Sequence, residues 1–236
     1  MKNKNQCSHC RSKLCIHKVP IFTSLEQEDL IKISEVIEHK EYKKGDILFH
    51  IGEMVHSVII MNVGSVKAYK YTPEGREQIL YVFSDGDFFG EQYLLGNQKA
   101  GYTVEALDQV KVCMLSKSQF YQLITLHSAI GIKIIEELGL RISKLETTLQ
   151  SMGVRSVDGR ISALLLDFAL KYGTKSEEGT LIRLPLSREG MANHLGIARE
   201  TVSRKLIQLE NDGLIKSVGN KNLLLLKEDI LREMIE

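Results

Sequence analysis

Apolar residues recur at helical spacing at Leu25, Leu30, Ile33 and Ile37, which predicts a short amphipathic helix. From about Tyr42 to Leu115 the texture changes to short β-like runs punctuated by Gly45, Gly52, Gly64, Gly75, Gly86 and Gly90. Glycines at such intervals supply turns between strands, and Pro73-Glu74-Gly75 is a turn in which proline presets φ and glycine tolerates φ > 0. About eight to twelve residues between turns points to an antiparallel roll or barrel rather than to βαβ units. Alternation in the last strand sets Val112 and Met114 on one face and Lys111, Cys113 and Leu115 on the other, so Cys113 need not fill a core.

Ser116-x-x-Gln119 reads as a capping box that opens a helical stretch reaching about Met152. Within it Ile134, Leu138, Leu145 and Met152 follow a seven-residue a/d pattern to which Arg141 and Thr148 are exceptions, and Ile135, Ile142 and Leu149 form a neighbouring stripe. A helix packed on its own domain is one reading. A dimer coiled coil is favoured, because the helix is long and apolar on more than one stripe. A hinge from Ser151 to Gly159 leads to a further apolar helix, Ile161 to Tyr172, then a strand-like run from Leu181 to Leu184.

Ser187 to Gly213 reads SREGMANHLGIARETVSRKLIQLENDG. Ser187 caps a short helix holding Met191, Ala192 and Leu195; a tight turn follows Gly196; a second helix begins near Arg199 and closes at Gly213. On a wheel of about 100° per residue, Val202, Leu206 and Leu209 face the core, and Glu200, Ser203 and Arg204 lie opposite. A polar trio at the start of a recognition helix suits the major groove: Arg204 can donate twice to guanine, Glu200 can accept from cytosine, and Ser203 can reach base or backbone. The hairpin that follows, Leu214 to Ser217 and Asn222 to Leu226 around Gly219-Asn220, is a wing. Ser187, Arg199 and Lys221 complete the DNA-facing set.

Composition adds limits rather than a function. The chain has 236 residues, 43% hydrophobic and 26% charged, an ordinary globular balance with room for two domains. Its net charge is +1, and residues 155–236 hold 13 Lys/Arg against 12 Asp/Glu, so DNA contact must come from local placement of charge. No apolar run approaches the ~18–20 residues of a membrane helix, and the Lys-rich start has neither an apolar core nor a cleavage site. A cytoplasmic protein without a membrane role is expected. There, structural disulfides are uncommon, and four cysteines read as ligands or redox groups.

Gly-Ile-Ala-Arg-Glu-Thr-Val-Ser-Arg (196–204) resembles the recognition-helix signature of the CRP/FNR family of bacterial regulators. The likeness extends over nearly the whole chain and implies an α+β architecture: an N-terminal antiparallel β-roll of the cyclic-nucleotide-binding type, a long dimerisation helix, and a C-terminal winged helix-turn-helix. The expected divisions are a cysteine-bearing arm at 1–20, the roll at 21–117, the dimerisation region at 118–153 and the DNA-binding domain at 154–236. The resemblance implies a homodimer on a palindromic double-stranded operator, with RNA polymerase as a further partner. Glu200, Ser203 and Arg204 match the base-reading positions of the FNR branch, whereas Arg199 is the residue of the cyclic-AMP receptor branch. Ala198 stands where the family commonly has a Ser or Thr cap, a loss worth roughly 1 kcal/mol.

Two sensor chemistries compete. The cyclic-nucleotide branch binds ribose with a Gly-Glu pair and clamps the phosphate with Arg-Ser. Gly90-Glu91 is present, but Ala100-Gly101 replaces the clamp, so a cyclic nucleotide would lack its main charge-assisted partner and is not expected. The set Cys7-x2-Cys10-x4-Cys15 with Cys113 resembles the FNR pattern, whose second spacing has five residues and whose thiolates hold a [4Fe–4S] cluster dismantled by oxygen. Arg11, Lys13 and Lys18 would offset cluster charge. The same cysteines leave open a thiol–disulfide switch, a zinc site completed by His9 or His17, or another effector. An enzyme is not expected, for want of a nucleophile–base pair or a phosphate-cradling loop. A bare electron carrier would have no use for the helix-turn-helix.

Overall fold

The computed structural model describes residues 19, 22, 26, 27, 37–96, 98–154, 156–219 and 221–235, with backbone alone at 144 and 147–154. Cys7, Cys10 and Cys15, and most of the helix expected from Leu25 to Ile37, lie outside the described residues. The chain divides into two compact units: 1–70 with 80–142, and 71–79 with 143–236.

Among the described residues the N-terminal part holds eight strands: β1 (Glu38–Tyr42), β2 (Ile47–Phe49), β3 (Ser57–Val63), β4 (Val66–Tyr71), β5 (Glu77–Phe83), β6 (Phe88–Phe89), β7 (Thr103–Ala106) and β8 (Val110–Ser116). They form two four-stranded sheets, ordered β1-β8-β3-β6 and β2-β7-β4-β5. All six glycines read as turn signals have positive φ, between 76° and 94°. At Gly64 a Cβ would also lie 2.5 Å from the Gln109 carbonyl oxygen, so no other residue fits that turn. Strand β8 divides the interior by alternation. Val110 and Val112 enter one cluster with Phe49, Phe89 and Tyr102, and Cys113 and Leu115 enter the other with Ile60, Phe88 and Phe120.

The capping box at Ser116 is present, with Gln119 N–H donating to Ser116 Oγ (3.4 Å) and Ser116 N–H to Gln119 Oε1 (2.9 Å). The helical stretch is not continuous, however. A short helix α1 (Glu91–Gly96) precedes it, and the stretch itself splits at His127 into α2 (Lys117–Leu126) and α3 (Ser128–Val154).

In the second unit α4 (Val157–Tyr172) is capped by Ser156, whose hydroxyl accepts from Gly159 N–H at 3.1 Å. The hinge expected from Ser151 to Gly159 is therefore shorter, since α3 runs to Val154 and Gly159 is helical. The strand expected at Leu181 is β10 (Gly179–Arg183), and a partner that the pattern did not announce, β9 (Gly173–Ser176), lies beside it. With β11 (Ile215–Val218) and β12 (Asn222–Leu225) they form a sheet ordered β11-β12-β10-β9. Helices α5 (Arg188–Leu195), α6 (Arg199–Asn211) and α7 (Glu228–Glu233) complete the unit. Leu165, Phe168, Ile182, Met191, Val202, Leu225 and Leu231 are buried, each worth about 1.5–3 kcal/mol of transfer free energy.

Candidate nucleic-acid interface and cysteine site

Helix α5 starts on the Ser187 hydroxyl, which accepts from Gly190 N–H (3.1 Å), and ends at Gly196 in the left-handed region (φ 66°). That turn sends the chain into α6. Val202, Leu206 and Leu209 are buried along one side of α6, and Arg199, Glu200 and Arg204 are exposed, with Ser203 half-buried. The buried side of the wheel drawn from the sequence is the buried side here, with Ser203 at its margin rather than opposite it. Ala198 is the N-cap and offers no side-chain bond, leaving the first amides of α6 without that partner. Arg160 of α4 donates from Nη1 to the Leu195 carbonyl (3.2 Å), satisfying a terminal acceptor of α5 and tying the motif to its scaffold.

The wing is β11 and β12, and Lys221 between them is exposed, its carbonyl accepting from Leu184 N–H at 2.8 Å. Glu210, in the last turn of α6, clamps the wing by accepting from Ser217 N–H (2.7 Å) and Ser217 Oγ (3.0 Å). The bond from the Ser217 amide, then that from its hydroxyl, holds the Glu210 carboxyl below its ordinary pKa. A carboxylate with a depressed pKa in the folded state contributes above its ordinary value and loses that contribution as pH falls through the depressed one. Protection of the Ser217 amide, corrected for intrinsic exchange, should therefore drop on acidification below the usual carboxylate range. Glu210→Ala should show the lowered protection at neutral pH. Equal protection in the variant and the parent would show that the clamp contributes nothing.

Helix α3 presents two faces. Ile130 and Ile134 are buried, and Leu138 packs beside them against the roll. Ile132, Ile135 and Ile142 are exposed at 59%, 70% and 57%, and Glu146 lies one turn beyond Ile142, also exposed. Ile130, Ile134 and Leu138 thus form the inward seam, whereas Leu145, later in the a/d pattern, is 43% exposed. The stripe through Ile135 and Ile142 is left uncovered. Arg141, an exception in that pattern, points inward to the corner between β6 and α1. Its Nη1 donates to Glu91 Oε1 (2.6 Å) and its Nη2 to the Phe88 carbonyl (2.5 Å). Glu91 is thereby bonded to α3. It is 1% exposed, and burial pushes its pKa up against the opposing pull of Arg141.

Cys113 lies on the face that alternation predicted, but it is 1% exposed and fills the cluster with Leu115, Ile60 and Phe120. Cys113 is a core residue, contrary to what alternation alone left open: β1 and β3 flank it in the sheet, and residues of α2 and α3 share its cluster. In the β1–β8 register His39 is directly opposite, with Nδ1 3.4 Å from the Cys113 Sγ. Val19 and Phe22 are buried in the same cluster.

Two family models match, the cyclic nucleotide-binding domain over residues 39–127 and the Crp-like helix-turn-helix domain over 159–234. A probable transcriptional regulator, flp, of Lacticaseibacillus casei is 28% identical over 216 residues, which span 92% of this chain and 96% of that protein. The transcriptional activator protein FnrA of Stutzerimonas stutzeri is 25% identical, over 91% of this chain and 87% of its own length. The structure of FixK2 from Bradyrhizobium japonicum superposes with a TM-score of 0.76 at 23% identity, over 85% of this chain and 98% of that one.

The chain belongs to the CRP/FNR family. It is a DNA-binding transcriptional regulator rather than an enzyme. Among the described residues no helix of this CRP/FNR regulator is long and apolar enough to cross a membrane. Three of its structural residues escaped the sequence reading. Arg141 registered only as a polar interruption of an apolar stripe. His39 and Glu210 gave no local signal, because their partners, Cys113 and Ser217, are brought to them by strand pairing and by the α6–wing turn.

Proposed function

We propose that this CRP/FNR regulator works as a homodimer on a palindromic operator and that its signal is oxygen, read through a [4Fe–4S] cluster on Cys7, Cys10, Cys15 and Cys113. The observation that carries the reading is the burial of Val19 and Phe22 in the cluster that holds Cys113. Cys15 precedes Val19 by four residues, a tether that spans at most about 14 Å, which supports a site shared between the arm and the core that holds Cys113. The donor set fits the group: four cysteines are its usual complement. A bound cluster supplies an oxygen-sensitive tie between arm and roll. Through β8, that tie bears on the strand that leads into α2 and α3.

The exposed stripe of Ile132, Ile135 and Ile142 supports the homodimer, since two copies would cover it by self-pairing. On DNA, Glu200, Ser203 and Arg204 would read base edges, with Arg199, Ser187 and Lys221 on the backbone. RNA polymerase follows as a partner, because a relative bears the name transcriptional activator. A cyclic nucleotide is not part of the reading. Ala100 is buried where the phosphate clamp would stand, the Gly101 N–H donates to the Tyr93 hydroxyl (3.0 Å), and Glu91 is engaged by Arg141.

A thiol–disulfide switch is the second reading, favoured by the polar contact between His39 Nδ1 and Cys113 Sγ (3.4 Å). The burial of Cys113 works against it, because exchange needs access. Iron and acid-labile sulfide assays on anaerobically prepared protein decide between the two. The proposal expects about one [4Fe–4S] cluster per chain, lost with any single Cys→Ser change. Colourless protein whose DNA binding is restored by a dithiol alone would replace oxygen sensing by the switch. Zinc in place of iron would defeat both readings.

A further inference from the structure

The geometry points to Arg141 as a positioning residue that sets the rotation of α3 against the roll and so decides how the stripe Ile132–Ile135–Ile142 is presented to a second copy of the chain. This rests on the homodimer reading above. On a helical wheel Arg141 falls within about 20° of Ile130 and Ile134, so it continues the inward seam one turn beyond its last apolar residue. On the same wheel Ile132 lies opposite Arg141, and Ile135 and Ile142 lie about 120° and 100° round from it, so the exposed stripe runs along the flank and back of α3. Apolar packing at Ile130, Ile134 and Leu138 holds the helix down but specifies its rotation loosely, since such side chains slide and repack. A guanidinium bonded to two separate acceptors permits one orientation.

Both acceptors belong to one corner of the roll. Glu91 opens α1, and the Phe88 carbonyl lies in β6, two residues before Gly90. The guanidinium also lies 4.7 Å from the Phe88 ring centroid and 5.8 Å from that of Phe83, so its planar face is packed as well as its edges bonded. Glu91 has a matching need. Its second oxygen, Oε2, is buried and has no hydrogen-bond partner among the described residues, and Arg141 is the only cation paired with it there. A buried carboxylate in that state is costly without its partner, so the corner and the helix must stay registered with each other. Any event that shifts β6 or α1 is thereby transmitted to the outward face of α3. The link is physical and two-ended.

The test uses the full chain, prepared with its cysteines in one defined state. Its readouts are sedimentation equilibrium for the dimer constant and thermal unfolding for stability. Arg141→Lys keeps the charge but cannot bond both acceptors, and should weaken dimerisation by about tenfold, within the range usual for coupling between sites. Glu91→Leu with Arg141→Met removes both charges. It should melt within about 4 °C of the parent, as paired buried charges replaced together usually allow, yet dimerise as weakly as Arg141→Lys. A merely structural pair would shift melting and leave the dimer constant of the melting-competent variants unchanged. If the double variant fails to fold, Arg141→Lys alone decides. Parental dimerisation in these variants overturns the role given to Arg141 and leaves the homodimer intact. A parent that stays monomeric at every concentration overturns the homodimer and this role with it.

Discussion

Arg204→Ala is expected to abolish the preference for guanine at one base pair of each half-site while leaving the protein folded. A bidentate arginine–guanine contact discriminates by about 1–3 kcal/mol, so two half-sites together lose about 2–6 kcal/mol. The side chain is exposed on α6, whose opposite side is anchored by Val202, Leu206 and Leu209, and truncation leaves that anchorage untouched. Stability should move by no more than about 0.5 kcal/mol. Lys221→Ala, in the exposed turn of the wing, should instead weaken binding to all sequences alike and lower the salt slope by about one. Binding assays on an operator series with single-position changes separate the two patterns. If Arg204→Ala keeps the parental base preference, α6 does not read the groove through this residue.

Gly179→Ala should be the most damaging small substitution in the second unit. Gly179 has φ 149°, and a Cβ there would stand 2.0 Å from the Leu225 carbonyl oxygen and 3.0 Å from its carbon. The obstacle is backbone, and β10 pairs with β12 through Thr180 and Leu225, so a methyl group can be admitted only by prying the sheet apart. Leu223, Leu224 and Leu225 would lose cover together. A loss of more than about 3 kcal/mol follows from backbone strain and lost packing combined. Gly219 is the control: its φ is 65°, but nothing lies within 4 Å of the added atom, so Gly219→Ala should cost only about 1–2 kcal/mol. Urea unfolding followed by far-UV dichroism ranks them. Equal midpoints would show that the sheet yields more easily than its geometry implies.

Much of the architecture is legible wherever the signal is local. The capping box at Ser116, the turn glycines and the wheel of α6 each express a rule that operates over a few residues, and each has its counterpart in the fold. What escaped is what depends on the neighbour. Alternation could place Cys113 on one face of β8 but not say that helices would cover that face. Two apolar stripes on α3 look alike in one dimension; only the roll decides that Ile134 is inside and Ile135 outside. Strand β9 was missed because Thr174, Lys175 and Ser176 are exposed and carry no apolar alternation. Glu91 and Arg141 are 50 residues apart, and neither announces the other.

The uncovered face of α3 makes abundance a variable of this protein. If Ile132, Ile135 and Ile142 find cover only in a second copy, mass action ties the melting temperature to the protein's own concentration, rising as dilution is reversed. A cell that makes few copies would hold mostly separate chains, each with an apolar stripe open to proteases and to wrong partners. A cell that makes many would hold pairs even under a weak signal. Expression level and chemical stimulus then act on one equilibrium, and a shortage of either is felt at the operator as the same shortage of dimers.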